Sequence, residues 1–233
     1  MSKPSGPFPV IDFHTHTIHS DGELAPAELA RRAVVKGYLV LGISDHVDQS
    51  NMESCLKAAL IASKALSGII GLTLLAGVEL THIPPNQMTS TVKQAKALGA
   101  HYVIVHGESP VEPVAPGTNM AAIEAGADIL AHPGLITDQE VKAAARKGIF
   151  LEISSRGGHN LGNGLVASLA LAHGAKVLIN SDAHGPSDIL TPELQLTTAL
   201  GAGLSYEKYT AVMNIASDFA TRLATRAGLT VYP

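Results

Sequence analysis

HTHTIHSDG, residues 14–22, directly follows the short apolar run Val10 to Phe13, and the reading of that junction decides the fold. In extended backbone alternate residues point the same way, so His14 and His16 leave the end of a strand as a pair able to chelate one metal ion. The same kind of junction recurs along the chain. Asp45 and His46 follow Leu39 to Ser44, Glu79 follows Leu72 to Val78, and His106 follows Tyr102 to Val105. His132 follows Ile129 to Ala131, and Asp182 and His184 follow Val177 to Asn180. Core packing gives no reason for imidazoles and carboxylates to collect at the ends of apolar segments. A parallel barrel does, because the C-terminal ends of its strands all face one mouth.

With Ile149 to Ile153 the apolar runs make seven strands. Between them, Pro26 to Lys36, Glu53 to Ser67, Thr89 to Leu98, Asn119 to Ala125, Asp138 to Arg146 and Leu165 to His173 have helical spacing. Several of these end in glycine, which closes a helix in the left-handed conformation before the next strand. Strand and helix therefore alternate as in an α/β fold. A doubly wound open sheet alternates in the same way. The number of separate strands contributing ligands favours a closed, TIM-like barrel. Pro192 to Leu200 and Tyr206 to Arg226 form C-terminal helices, the second long enough to pack along the wall or seal one end. Residues 1–233 show no internal linker and are expected to form a single domain.

The formal charge of −4 has no long acidic or basic run behind it, so neither duplex nucleic acid nor an anionic membrane is an expected partner. Cys55 is the single cysteine, which excludes intramolecular disulfides and Cys-rich zinc sites, and is read as a packed helical residue. The start, MSKPSGPFPV, lacks a long apolar segment, and no apolar run reaches the roughly 18 residues of a membrane span. A soluble, cytoplasmic chain is the expectation.

HTHTIHSDG, SDH, GVEL, VHG, AHPG and NSDAH, in this order between residues 12 and 184, resemble the motifs of the PHP family, the polymerase and histidinol phosphatase superfamily of metal-dependent phosphoesterases. The resemblance implies a distorted (β/α)7 barrel that holds three divalent ions of zinc, manganese or iron. Carried over motif by motif, it implies that His14, His16 and Asp182 bind one ion. Glu79 would bridge that ion to a second held by His106 and His132, while Asp21, His46 and His184 would hold the third. A carboxylate can offer one oxygen to each of two cations, whereas a neutral imidazole normally serves one, which suits Glu79 to the bridge. Asp21 is either a ligand or the cap of the helix that follows.

The implied chemistry is phosphoester hydrolysis. Two ions about 3.5–4 Å apart can share a hydroxide and stabilise in-line displacement at phosphorus. Glu79 and Asp182 would organise that nucleophile, and no GxSxG elbow suggests a serine instead. The loop SSRGGHNLGNG, residues 154–164, suits an anion: Arg156 can grip a phosphate through two hydrogen bonds, and His159 can protonate a leaving group. His82 and His19 are further candidates for substrate contact, as is the Pro-rich loop from Gly107 to Gly117 for shaping the pocket. Asn180 and Ser181 either orient ligands or simply end their strand. His101 and His173 precede strands and belong to the opposite end. The leading expectation is a phosphatase of a small phosphomonoester, histidinol-phosphatase-like. A nucleotide phosphatase or oligonucleotide phosphodiesterase is the nearest alternative. An amidohydrolase-type barrel cleaving C–N bonds would carry a bridging lysine where His106 stands, and a noncatalytic metal module has little need of the full ligand set.

Overall fold

The structure, a computed structural model, describes residues 8–230. Most of the N-terminal stretch MSKPSGPFPV, residues 1–7, lies outside the described residues. Parallel strands and helices alternate: β1 (Val10–Asp12), α1 (Pro26–Val35), β2 (Tyr38–Ile43), β3 (His46–Val47), α2 (Met52–Leu66), β4 (Thr73–Leu80) and α3 (Met88–Ala97). They continue through β5 (Tyr102–His106), α4 (Thr118–Ala125), β6 (Ile129–Ala131), α5 (Asp138–Lys147), β7 (Phe150–Ser154), α6 (Asn163–His173), β8 (Val177–Asn180), α7 (Pro192–Gly201) and α8 (Tyr206–Ala227). The order across the sheet is β1-β2-β4-β5-β6-β7-β8, seven positions. The eighth strand, β3, is a correction to the sequence reading without adding a position. It pairs with β4 beyond the point where β2 stops, so Ser44 and Asp45 interrupt one line of chain.

Closure between β8 and β1 is where the barrel is distorted. Only Thr15 and Ala183 form a bridge there, supported by Asp182 N–H to the His14 carbonyl at 2.9 Å and His16 N–H to the Ala183 carbonyl at 2.8 Å. Below that bridge, side chains replace the ladder. The Phe13 amide donates to Asn180 Oδ1 at 3.0 Å, and the amides of His14 and Ser181 donate to Asp12 Oδ1 at 3.1 and 3.2 Å. Burial pushes the Asp12 carboxyl up to about 6, despite these hydrogen bonds. The seven-position barrel is thus nearly closed, as the ligand-bearing strand ends implied.

The interior is filled rather than hollow. Tyr102 lies so close to Gly42 and Gly77 that a Cβ at Gly42 would fall 2.2 Å from its hydroxyl and one at Gly77 2.4 Å from its ring, so β2 and β4 both need glycine there. Its hydroxyl donates to the Phe13 carbonyl at 2.6 Å, which satisfies a polar atom buried at 0 % exposure. Phe219 packs between Phe13 and Phe150 with tilted rings, its centroid 5.1 Å from the first and 4.6 Å from the second. Full burial of each such side chain contributes on the order of 1.5–3 kcal/mol. Phe219 belongs to α8, which seals one end: Arg226 reaches the His101 carbonyl just before β5, and Thr230 accepts a hydrogen bond from Thr73 at the start of β4. The opposite, C-terminal end of the barrel stays open. Among the described residues no helix is long and apolar enough to cross a membrane. Cys55 is buried in α2, as expected.

Candidate metal centre

At the open end the side chains expected from separate segments converge. Glu79 sits in the last turn of pleat of β4, fully buried, and its two oxygens face different imidazoles. Oε2 lies 3.2 Å from His14 Nε2, 3.6 Å from His16 Nε2 and 2.8 Å from His46 Nδ1, while Oε1 lies 3.5 Å from His132 Nε2. Asp182 is arranged likewise, with Oδ1 at 3.1 Å from His16 Nε2 and Oδ2 at 3.7 Å from His132 Nε2. Asp21 is not a helix cap: α1 begins after Ala25, and the Asp21 carboxylate lies 3.2 Å from His184 Nε2 and 3.7 Å from His46 Nε2.

Four groups of donors could each hold a cation: His16, Asp21, His46 and His184; His14, His16 and Asp182; His14, Glu79 and His132; His132, His159 and Asp182. The first two match the implied division, with His16 added to the first. The second ion is where the arrangement differs from expectation. His106 joins none of these groups, and His159, expected as a proton donor, stands beside His132 and Asp182 instead. His106 ends β5 with its Nε2 3.1 Å from Glu112 Oε2. Burial and the neighbouring His132 lower His159 to about 4, so at neutral pH its imidazole is neutral, which suits a ligand better than an acid.

The donor chemistry fits metal ions. Among the described residues, His14 Nε2, both nitrogens of His16, both oxygens of Glu79 and Asp182 Oδ1 are buried without a hydrogen-bond partner. Such orphaned atoms are costly unless something polar completes them. Tautomers are fixed from behind. His14 Nδ1 pairs with Glu152 Oε1 at 2.8 Å and His184 Nδ1 with the Asp182 carbonyl at 3.0 Å, so each Nε2 presents a lone pair to the cluster. Lone pairs of nitrogen then face lone pairs of carboxylate, an arrangement that needs a cation between them. Protons fill that role when nothing else does. Burial disfavours the charged form of His14 and His46, yet Glu79 outweighs it, raising His14 well above its ordinary value and His46 to about 9. Glu79 itself, although desolvated, is held well below the usual carboxylate range by His14 and His46. Metal ions compete with such protons for the same atoms.

Backbone geometry concentrates here too. His82, His132 and Asp182 have φ of 54°, 25° and 55°, left-handed values rare for residues with side chains. Gly107 after His106 is required by packing, since a Cβ there would lie 2.2 Å from the Ala131 carbonyl.

Above the cluster lies an open cleft of about 390 Å³. Arg156 lines it, its Nη1 donating to the Asp182 carbonyl at 3.1 Å and standing 3.6 Å from Asp188 Oδ2. His82 also lines it, stacked with His106 at 5.5 Å between centroids. His19 is exposed and outside the cleft lining, so the structure does not bring it to the site. Asp45 is no ligand: it accepts from the Thr17 amide and from the hydroxyls of Thr17 and Ser20, and so ties down the His14 to Gly22 loop. Asn180 proves to be a positioning residue, donating to Glu152 Oε1 at 2.8 Å. Sequence reasoning missed Glu152 and Glu112. The first had a signal, a carboxylate inside the apolar run of β7, where burial demands a partner. The second had none, lying in an irregular loop.

Known proteins place the chain in a group. It is 47 % identical over 197 residues to the uncharacterised protein MJ1295 of Methanocaldococcus jannaschii, an alignment that spans 84 % of this chain and 90 % of that one. The chain belongs to the MJ1295 family. A shorter likeness, 37 % identity over 70 residues, links it to a 5'-3' exoribonuclease of Haemophilus influenzae, covering 30 % of this chain and 23 % of that protein. No family model matches. Among solved structures, a chain of an archaeal ribonuclease P with mature tRNA superposes with a TM-score of 0.67 at 16 % identity, over 95 % of this chain and 96 % of that one. An amidohydrolase crystal structure gives 0.61 at 13 % identity, over 97 % and 77 %. These structural likenesses show that the chain has the TIM-like barrel fold.

Proposed function

We propose that this protein is a metal-dependent hydrolase of the polymerase and histidinol phosphatase superfamily, releasing phosphate from a small phosphomonoester. The observation that carries the reading is the set of orphaned, buried imidazole and carboxylate atoms at the barrel mouth, directly beneath a cleft lined by Arg156. The ordered motifs from HTHTIHSDG to NSDAH support the superfamily. His14, His16 and Asp182 would hold one ion, Glu79 and His132 would share in a second, and Asp21, His46 and His184 would hold a third. Divalent zinc, manganese or iron there would supply Lewis acidity toward phosphoryl oxygens and a water of lowered pKa.

The chain's own groups do the positioning. Arg156 is steadied on one side by the Asp182 carbonyl and Asp188, and its half-buried guanidinium offers further N–H groups to an anion in the cleft. Glu79 and Asp182 each present oxygens to two sides of the cluster, which fixes the spacing of whatever they hold. His82 stands at the rim, where a substrate's remaining portion would pass.

A second reading, cleavage of a phosphodiester at the end of an oligonucleotide, is favoured by the 70-residue likeness to the H. influenzae exoribonuclease. Phosphate release from sugar phosphates, histidinol phosphate and nucleoside monophosphates, and nucleotide release from short RNA, assayed with Mn²⁺ or Zn²⁺, separates the two. Amide substrates in the same panel test C–N cleavage. Glu79→Gln is expected to lower turnover at least 10³-fold, about 4 kcal/mol of transition-state stabilisation. Undiminished turnover in a folded Glu79→Gln variant overturns the mechanism.

A further inference from the structure

Glu112 is the one carboxylate of the Gly107 to Gly117 loop that enters the cluster, although 37 % of its side chain is exposed. Its Oε2 lies 3.1 Å from His106 Nε2 and its Oε1 lies 3.3 Å from His159 Nε2. His106 Nδ1 is within 3.1 Å of the Gly107 carbonyl, an acceptor only, so Nδ1 carries the proton and Nε2 keeps its lone pair. That lone pair points at a carboxylate oxygen, which is also a lone-pair donor. The contact is repulsive unless a proton or a metal ion stands between the two atoms, and a metal ion competes with the proton for both. His14 and His184 present Nε2 to Glu79 and Asp21 in the same way, with Nδ1 engaged behind each ring. Two donors each about 2.0–2.2 Å from one ion, at tetrahedral or octahedral angles, sit roughly 3–3.5 Å apart. The His106 and Glu112 atoms have that separation.

We propose that Glu112 is a metal ligand delivered by its loop, completing with His106 the coordination of an ion that His106 could not hold alone. This rests on the metal-centre reading above and adds a consequence to it: the loop over the cleft is fastened by metal. The base of the loop is fixed, with Gly107 N–H donating to the Ala131 carbonyl, Glu108 and Asn119 exchanging hydrogen bonds and Ser109 buried, but the stretch beyond Ser109 is held less. Its internal backbone bonds are short-range, such as Ser109 N–H to the Gly107 carbonyl and Val114 N–H to that of Glu112. Without metal, residues 109–117 would open readily and the cleft with them.

The test uses the full-length chain stripped of metal. Mn²⁺ is titrated calorimetrically into wild type, Glu112→Gln and Glu79→Gln, and amide hydrogen exchange of residues 108–117 is followed with and without Mn²⁺. Glu112→Gln is expected to lose roughly tenfold to a hundredfold in affinity at one class of site. Metal should slow exchange of the loop in wild type and leave it fast in Glu112→Gln. Unchanged affinity in Glu112→Gln, or a wild-type loop that metal does not protect, overturns the proposal. If Glu79→Gln is weakened at the same time, the metal-centre reading survives that failure, whereas a wild type that binds no Mn²⁺ overturns both. Should Glu112→Gln fail to fold, exchange of the wild-type loop decides alone.

Discussion

Histidines at the two ends of the barrel are wired in opposite ways. At the end sealed by α8, His101 Nδ1 accepts from the Ala76 amide at 3.1 Å, and His173 Nε2 meets Asp138 Oδ1 at 2.7 Å on the surface. Each has an ordinary partner. At the open end, His14 and His16 keep buried nitrogens without one. Backbone conformation differs in the same sense. Left-handed residues before the strands of the sealed end are glycines, as at Gly126, Gly148 and Gly174, whereas at the mouth they include His82, His132 and Asp182 alongside glycines such as Gly134 and Gly158. Such conformations cost of order 1–3 kcal/mol each in residues with side chains. One end is built for stability, and the other holds unsatisfied atoms and strain that only a bound cation and substrate would use.

The largest effect that would break this contrast concerns metal removal. Ions that bind the folded chain alone stabilise it by about 2.7 kcal/mol at a hundredfold excess over Kd. For a chain of this size each kcal/mol moves Tm by about 2–4 °C. Stripping with a chelator is therefore expected to lower Tm by about 5–10 °C in a calorimetric scan, with recovery on adding Mn²⁺ or Zn²⁺. An unchanged Tm would mean that the orphaned atoms are satisfied without metal, and the two ends would be alike after all.

Next in size comes Glu152, which lies behind the mouth rather than in it. It accepts from His14 Nδ1 and Asn180 Nδ2 through Oε1 and from the His132 amide through Oε2, so one carboxylate orients two expected ligands. Glu152→Gln keeps the shape but replaces an acceptor with a donor on one side. The expected outcome is a tenfold to hundredfold loss of metal affinity with little change in KM once metal saturates, since the residue touches no substrate. An equal loss from any conservative change in the sealed end would show that the effect is general destabilisation.

Glu152 also marks the limit of what the sequence made legible. Strand ends, helices and most of the ligand set were readable because each lies at a fixed offset from an apolar run. Pro26 to Lys36 and Tyr206 to Arg226, for instance, match α1 and α8 within a residue. The break at Ser44 and Asp45 was not, because both are buried and the run gives no sign that pairing moves on to β3. Nor was the place of His159 beside His132 and Asp182. Glu112 meets both His106 and His159 while His159 alone of the two also reaches Asp182, which depends on how far two loops fold inward, and loop reach has no periodic signature. His19 shows the reverse error: a place inside a ligand motif does not ensure a place in the site, and its loop turns it to solvent.

The smallest expected effect belongs to His173, and it is the sharpest control. It shares its residue type with the ligands and its position at a helix end with the glycine-capped turns, yet its partner Asp138 is exposed and also bound to Lys142. A surface pair of this kind contributes little, because solvent screens it. His173→Gln should leave metal stoichiometry and turnover within about twofold of wild type and move Tm by less than about 3 °C. If instead it cost as much as Glu152→Gln, the sensitivity of the mouth would reflect how fragile the barrel is to losing any buried or paired polar group. If it is silent, the same imidazole side chain is structural filler at one end and indispensable at the other, and the difference lies wholly in what the second nitrogen is left facing.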